Sequence, residues 1–437
     1  MLSAPLPHAL PRTIRTRIHP LALLSSQVPA PSTTLAIGVA LVTSTVPSLL
    51  PRPAWTQGLL AGVLVLAAVG LVAVVRRATG PRATGADAGG GRAGVLVLAA
   101  TALVVLVAGT LSWLGLSEQA VTLGLPEPGL AHALTAGAWT LLVVGVGLTL
   151  ARGVTAALRA LRTSSTARVA TVLVLGASVT TASASAPGVL DGLLDGLRKG
   201  HPNHILLQES PVGATRVLAL ADEADGPEAV ARLAVDRLVT AGGLARRAVV
   251  VVVPTGSGWV NDVAVREVEA QLGGDVAVVS AQAGDLPSWY YFLLDQDPAR
   301  RAASTLVHGV VEVVGEVPAA DRPDVYVLGE SLGATVGQAA VAELPDPAGQ
   351  VCAAVWSGTP GTTTSGHPRE RTLLNADDPI THLTTRTAYQ RPEDWPGTWL
   401  PGLSYATTWL DTSVSLSTPS GHGHRYGAEQ DWTLPTC

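Results

Sequence analysis

"VYVLGESLGA", Val325 to Ala334, is an apolar run that stops at Gly329 and sets one serine between two glycines. Gly329-Glu330-Ser331-Leu332-Gly333 fits G-x-S-x-G, the pattern of a nucleophilic serine on a tight strand-to-helix turn. In a chain of 437 residues with 46 glycines the pentapeptide alone decides little. Its meaning depends on a strand before it, a helix after it, and a base and an acid further along.

Strand and helix patterns alternate on both sides of this turn. "TRVLALA" (Thr215–Ala221), "RAVVVVVP" (Arg247–Pro254), "DVAVVSAQ" (Asp275–Gln282), "DVYVLG" (Asp324–Gly329), "VCAAVWSG" (Val351–Gly358) and "RTLLNA" (Arg371–Ala376) read as strands. Helical patterns separate the first five, among them "PARRAASTLVHGVVEVVGEV" and, directly after the serine, "LGATVGQAAVAEL". Continuous Val-rich strands mean a sheet covered on both faces. Residues 215–437 therefore read as an α/β domain of the α/β-hydrolase fold, a mostly parallel sheet with helices on both faces.

In that fold the acid and then the histidine follow the serine in chain order. "LLNADDPITH" offers Asp377 and Asp378 just past a strand, and "PSGHGHRYG" offers His422 and His424 in a glycine-rich loop. The histidine would take the seryl proton, and the aspartate would hold its tautomer. If extended, His422 and His424 share a face and the adjacent aspartates point oppositely, which leaves both pairs open. His308, His367 and His382 read as surface or packing histidines. Oxyanion donors would be the backbone N–H of Leu332 and that of Thr255 or Gly256, in the "PTGSGW" loop that follows the second strand. No Lys follows that loop, so it is not a Walker motif. No His/Cys/Asp spacing resembles a zinc site, and the chemistry calls for no metal or cofactor.

The first 190 residues differ in kind. Only 14% of the chain is charged, and its mean hydropathy is +0.36, too apolar for an ordinary soluble enzyme. Thr33–Leu50, Trp55–Val75, Ala93–Leu114, Ala133–Ala151 and Arg168–Ala186 read as about five spans, the first and fifth with an interfacial or buried segment as the alternative. Arginines cluster before the first span and in the loops after the second and fourth, while the other loops hold only Arg52. By the positive-inside bias, residues 1–32 form a cytoplasmic tail, 33–190 a membrane domain and 191–214 a linker, with the catalytic domain outside. A net charge of -5 with scattered basic residues excludes a nucleic-acid surface. The two cysteines, Cys352 and Cys437, allow one bridge in an extracytoplasmic domain.

These motifs together resemble the bacterial membrane-anchored alpha/beta-hydrolases with a dedicated multi-span N-terminal domain. The resemblance rests on "VPSLLPRP", "PTGSGW", "LPSWYYFLLD", "GESLGA", "VWSG", "DDPIT" and "GHGHRYG". It implies Ser331 as nucleophile, Asp378 as acid and His424 as base, in a serine hydrolase of unstated substrate.

Seven of the ten Trp, all six Tyr and the single Phe lie in the C-terminal domain, bunched in "SWYYFLL" and between Trp395 and Trp409. Trp259, Trp289 and Tyr290 are candidates for a substrate pocket or for interfacial anchors. Beside a membrane anchor they favour a lipid or cell-envelope acyl ester in contact with the bilayer. Two other functions share these residues: an acyltransferase using the same triad, and a non-catalytic hydrolase-like binding module.

Overall fold

The computed structural model describes residues 29–79, 92–163, 205–395 and 397–437. The chain divides into two compact units. Of the described residues, one gathers those up to Val46 with those within Ala54–Ser117 and Pro128–Gly153; the other gathers Pro47–Pro53, Glu118–Glu127 and those from Val154 to Cys437.

The first unit is helical, made of α1 (Pro31–Ser44), α2 (Ala54–Thr79) and the greater part of α3 (Arg92–Thr122) and α4 (Leu130–Thr163), whose last residues are counted with the second. Three helices, α2, α3 and α4, are long and apolar enough to cross a membrane. They present leucines such as Leu71, Leu103 and Leu141 outward, as lipid-facing helices do. Gly58 and Gly62 let α2 approach α4 closely, since a Cβ on Gly58 would lie 2.5 Å from Ala136 O and one on Gly62 2.7 Å from Val143 Cβ.

The first helix is shorter than the sequence suggests. It ends at Ser44, where the Ser44 and Thr45 hydroxyls turn back to the carbonyls of Leu41 and Val42 at 2.7 Å, three residues ahead of Pro47. At 14 residues it rises about 21 Å, less than the ~30 Å hydrocarbon core. Leu49 and Leu50, read as the end of a span, are buried and belong to the second unit. The fifth expected span, Arg168–Ala186, lies outside the described residues, as do residues 1–28 of the tail and 191–204 of the linker.

The second unit is built on six parallel strands: β1 (Thr215–Ala219), β2 (Ala248–Val253), β3 (Val276–Ala281), β4 (Asp324–Glu330), β5 (Ala353–Ser357) and β6 (Glu370–Leu373), in the order β1-β3-β2-β4-β5-β6. Every β2 residue is buried, which is why the valine run shows no polar alternation. Val249, Val251 and Val253 face one core with α5 (Pro227–Thr240), α8 (Asp297–Gly315) and α9 (Leu332–Ala342). Ala248, Val250 and Val252 face the other with α6 (Asp262–Gln271). The helix α7 (Ser288–Leu293) follows β3, and α10 (Leu403–Asp411) lies in the long segment after β6. Cys352, beside β5, and Cys437 form a disulfide.

Candidate active site

The site lies beyond the carboxyl ends of β2, β4, β5 and β6, where ligands bind in open α/β sheets. Ser331 joins β4 to α9 with φ 56° and ψ -123°, the only residue other than glycine among the described residues with positive φ. Such a conformation costs about 1–3 kcal/mol and persists only where the surroundings impose it. Here its N–H donates to Ser357 O on the neighbouring strand at 2.9 Å. A Cβ on Gly333 would stand 2.2 Å from Val253 O, so only glycine lets α9 start this close to the end of β2. Leu332, the first helical residue, has no acceptor for its N–H within the helix.

Two Asp–His pairs, not one, meet past β6. Asp378 Oδ2 accepts from His424 Nδ1 at 2.7 Å and from the Tyr426 hydroxyl at 2.7 Å, and Asp378 Oδ1 accepts from Ile380 N at 2.8 Å. Asp377 takes His422 Nδ1 at 2.9 Å and Gly423 N at 2.9 Å. The first pair is buried (His424 9%, Asp378 0% exposed), the second half-exposed (37% and 18%). The His-Gly-His loop is not extended, because Gly421 and Gly423 adopt φ of 83° and 54°. The histidines consequently part, each to its own aspartate.

His424 and Ser331 line one cavity of about 850 Å³, and His422 does not. Its walls are mostly apolar, with Trp259, Trp289, Phe292, Ile380, Leu383 and Trp409 among them. Nε2 of His424, the nitrogen left over from the Asp378 contact, is buried with no hydrogen-bond partner among the described residues. Burial lowers the pKa of this imidazole, but the charge and hydrogen bond of Asp378, helped by Glu330, more than reverse that, so it lies above the usual histidine value. Burial, reinforced by Asp378, raises the Tyr426 phenol far above its ordinary range, so it stays a donor.

The remaining expected residues are placed unevenly. Thr255 and Trp259 line the cavity, but Thr255 N–H donates to Trp259 O at 3.1 Å, which leaves Gly256 as the loop's candidate donor. Gly256 is pressed against the Tyr291 ring, where a Cβ would come within 2.2 Å of Cδ2. Trp289 lines the cavity; Tyr290 does not, and its ring packs edge-on to Trp289 and Tyr291. Outside the cavity lining, His308 Nε2 and His367 Nε2 face the carbonyls of Ala340 and Val351, and His382 packs on Trp395. Among the described residues no group of three His, Cys, Asp or Glu is disposed to hold a metal ion.

Several site residues escape a reading by motif. Tyr426 shares Asp378 with His424, and its place two residues on, in "HRY", is the signal that would have found it. Glu330 sits buried beside the nucleophile, accepting from Asn261 Nδ2 at 2.8 Å and Ser357 Oγ at 3.0 Å. Burial pushes its carboxyl up to about 7, opposed by the charge of His424 and these two hydrogen bonds. Asn261 also caps α6 through Val263 N and Ala264 N and donates to Tyr426 O at 2.7 Å, tying three loops together.

Two family models match the chain. The model described as "Alpha/beta-hydrolase family" covers residues 215–371, and that described as "Alpha/beta-hydrolase family N-terminus" covers 45–200, together more than half of the sequence. No curated protein and no solved structure matches it.

Proposed function

The chain belongs to the alpha/beta-hydrolase family, and on that premise we propose that it is a membrane-anchored serine hydrolase cleaving a lipid or cell-envelope acyl ester. One observation carries this reading. The buried Asp378–His424 pair leaves the other imidazole nitrogen without a hydrogen-bond partner among the described residues, and His424 lines the same apolar cavity as the strained Ser331. A binding module has no need of a buried imidazole paired to a carboxylate in the same cavity as a serine elbow.

In the proposed cycle Ser331 Oγ attacks the ester carbonyl while its proton passes to His424 Nε2. The oxyanion is held by the backbone N–H groups of Leu332 and Gly256. The carbon–oxygen bond to the alcohol breaks, and the alcohol leaves with the proton from His424, giving acyl-Ser331. Water then attacks, again losing its proton to His424, and the acid is released with Ser331 restored. Asp378 holds the Nδ1–H tautomer throughout, with Tyr426 holding Asp378. Attack by a second alcohol in place of water would make the same intermediate serve acyl transfer.

The apolar lining supports a lipid-like acyl group, and the cavity's volume falls within the ~300–1,000 Å³ of small-molecule sites. An extracytoplasmic catalytic unit is supported by the Cys352–Cys437 bridge and by the arginine asymmetry of the loops. The arginine-poor segments Pro47–Pro53 and Glu118–Glu127 belong to that same unit, in agreement with this orientation.

The deciding experiment is fluorophosphonate labelling of the detergent-solubilised protein beside Ser331→Ala and His424→Ala. Labelling of the wild type that is lost in both variants is the expected result. A folded wild type that fails to label would sink the reading.

A further inference from the structure

The segment Ser48–Arg52 links two helices of the N-terminal region, yet it belongs to the unit that holds the site, and its Leu49, Leu50 and Arg52 are buried. Its partner is Asp411, the last residue of α10. Asp411 is 1% exposed; its Oδ2 accepts from Leu49 N at 3.0 Å and its Oδ1 stands 3.9 Å from Arg52 Nε. The Ser48 hydroxyl donates to Leu50 O at 2.8 Å, closing the segment on itself beside this carboxylate. Gln119 Nε2 in turn holds Ser48 O at 3.1 Å.

Nothing local favours a carboxylate at this point. The carboxyl end of a helix carries partial negative charge, and burial penalises an ion further. Burial does push Asp411 up to about 7, against the charge of Arg52 and the polar groups of the Ser48–Leu50 backbone turned toward it. The side chain is thus explained by what it grips and not by the helix it ends. What it grips is stiff: prolines at 47, 51 and 53 fix φ there and restrict the residues before them. Asp411 also lies between residues that line the cavity, Trp409 on one side and Thr412, Ser415 and Leu416 on the other.

We propose that Asp411 is a positioning residue through which the Pro47–Pro53 segment sets the α10 wall of the acyl cavity, so that the N-terminal region shapes substrate binding as well as anchoring the enzyme. The proposal rests on the esterase reading above. It gives the Leu-Leu-Pro-Arg-Pro segment a place in the binding apparatus, acting through α10.

The test uses the full-length protein in detergent, with Asp411→Asn, Arg52→Gln, the double variant and Arg52→Lys. KM and kcat are measured on p-nitrophenyl butyrate and p-nitrophenyl dodecanoate, and amide exchange is followed over residues 403–417. In each single variant KM for the dodecanoate should rise about five-fold or more, with a smaller change for the butyrate and in kcat. The double variant should be no worse than the worse single one, because both remove one coupled contact. Arg52→Lys should recover part of the loss, and exchange over 403–417 should quicken in Asp411→Asn and Arg52→Gln. Equal losses on both esters, additive effects, or unchanged exchange would overturn the proposal. Should the wild type neither label nor hydrolyse, the esterase reading fails by itself, and exchange over 403–417 still decides whether the segment holds α10.

Discussion

Asp378–His424 and Asp377–His422 are built from adjacent aspartates and from histidines two residues apart, yet they differ in every physical respect that bears on catalysis. The first is buried, shares its carboxylate with Tyr426 and Ile380 N, and faces the cavity that holds Ser331. The second lies half-exposed, and its carboxylate takes the Gly423 amide, closing the loop on itself. One residue type in one spacing yields a candidate catalytic pair and a loop staple. The distinction is made by burial and by the positive φ of Gly423, not by the side chains themselves.

The sharpest way to break this comparison is to disable each pair in turn. His424→Ala or Asp378→Asn should lower kcat/KM by about 10⁴-fold, the scale of losing a triad's base or its correct tautomer. Replacement of His422 or Asp377 should cost no more than a few-fold, and comparable losses in both pairs would erase the distinction. Because His424 must be neutral to accept the seryl proton and its pKa is raised, kcat/KM should fall as pH drops through a value above the ordinary histidine range. A profile of kcat/KM against pH in His422→Ala should keep this limb unchanged.

Much of this was legible in the sequence. The central strands were legible because buried parallel strands write themselves as runs rich in Val and Ala, and the elbow because Gly333 has a steric requirement that only glycine meets. The choice between the two pairs was not open to the residues alone, since an extended Gly-His-Gly-His and a twisted one have the same letters. The end of the first span stays open to two readings for a related reason: Leu49 and Leu50 are equally apolar whether lipid or protein covers them. Glu330 and Asn261 meet across 69 residues, a distance that no local pattern reports.

Tyr426 sharpens the comparison at the next level, because nothing equivalent to it serves Asp377 among the described contacts. Tyr426→Phe removes one donor from the buried Asp378 and should cost about 1.5–3 kcal/mol of stability, the worth of a hydrogen bond to a charged group. With that donor gone the carboxylate acts more fully on His424, so the acid limb of the rate profile should move to higher pH. A thermal melt and a pH profile of the variant check the two parts separately.

Glu330 gives an effect of similar size on stability. Its carboxyl is raised from the usual range to about 7, so the native state holds a proton that the unfolded chain has already released. Its contribution is full below about pH 4.5 and is lost as pH rises toward 7. Glu330→Gln should therefore flatten the decline in stability across that window and leave the protein up to about 3 kcal/mol more stable at pH 8. Denaturant melts of both proteins at pH 5 and pH 8 measure this difference, and equal pH dependence would contradict it.

The smallest effect belongs to the staple. His422 and Asp377 are partly exposed, and pairs of this kind contribute about 0–1 kcal/mol once solvent screening and side-chain ordering are counted. His422→Ala should accordingly shift the melting transition only slightly. Asp377→Ala should cost somewhat more, because it also frees the Gly423 amide that shapes the turn. That turn delivers His424 to Asp378, so the residual effect of Asp377→Ala on kcat/KM should exceed that of His422→Ala, though both stay within a few-fold. If the order reversed, with the His422 imidazole mattering more than the Asp377 carboxylate, the exposed histidine would have a part in the chemistry that its position away from the cavity argues against.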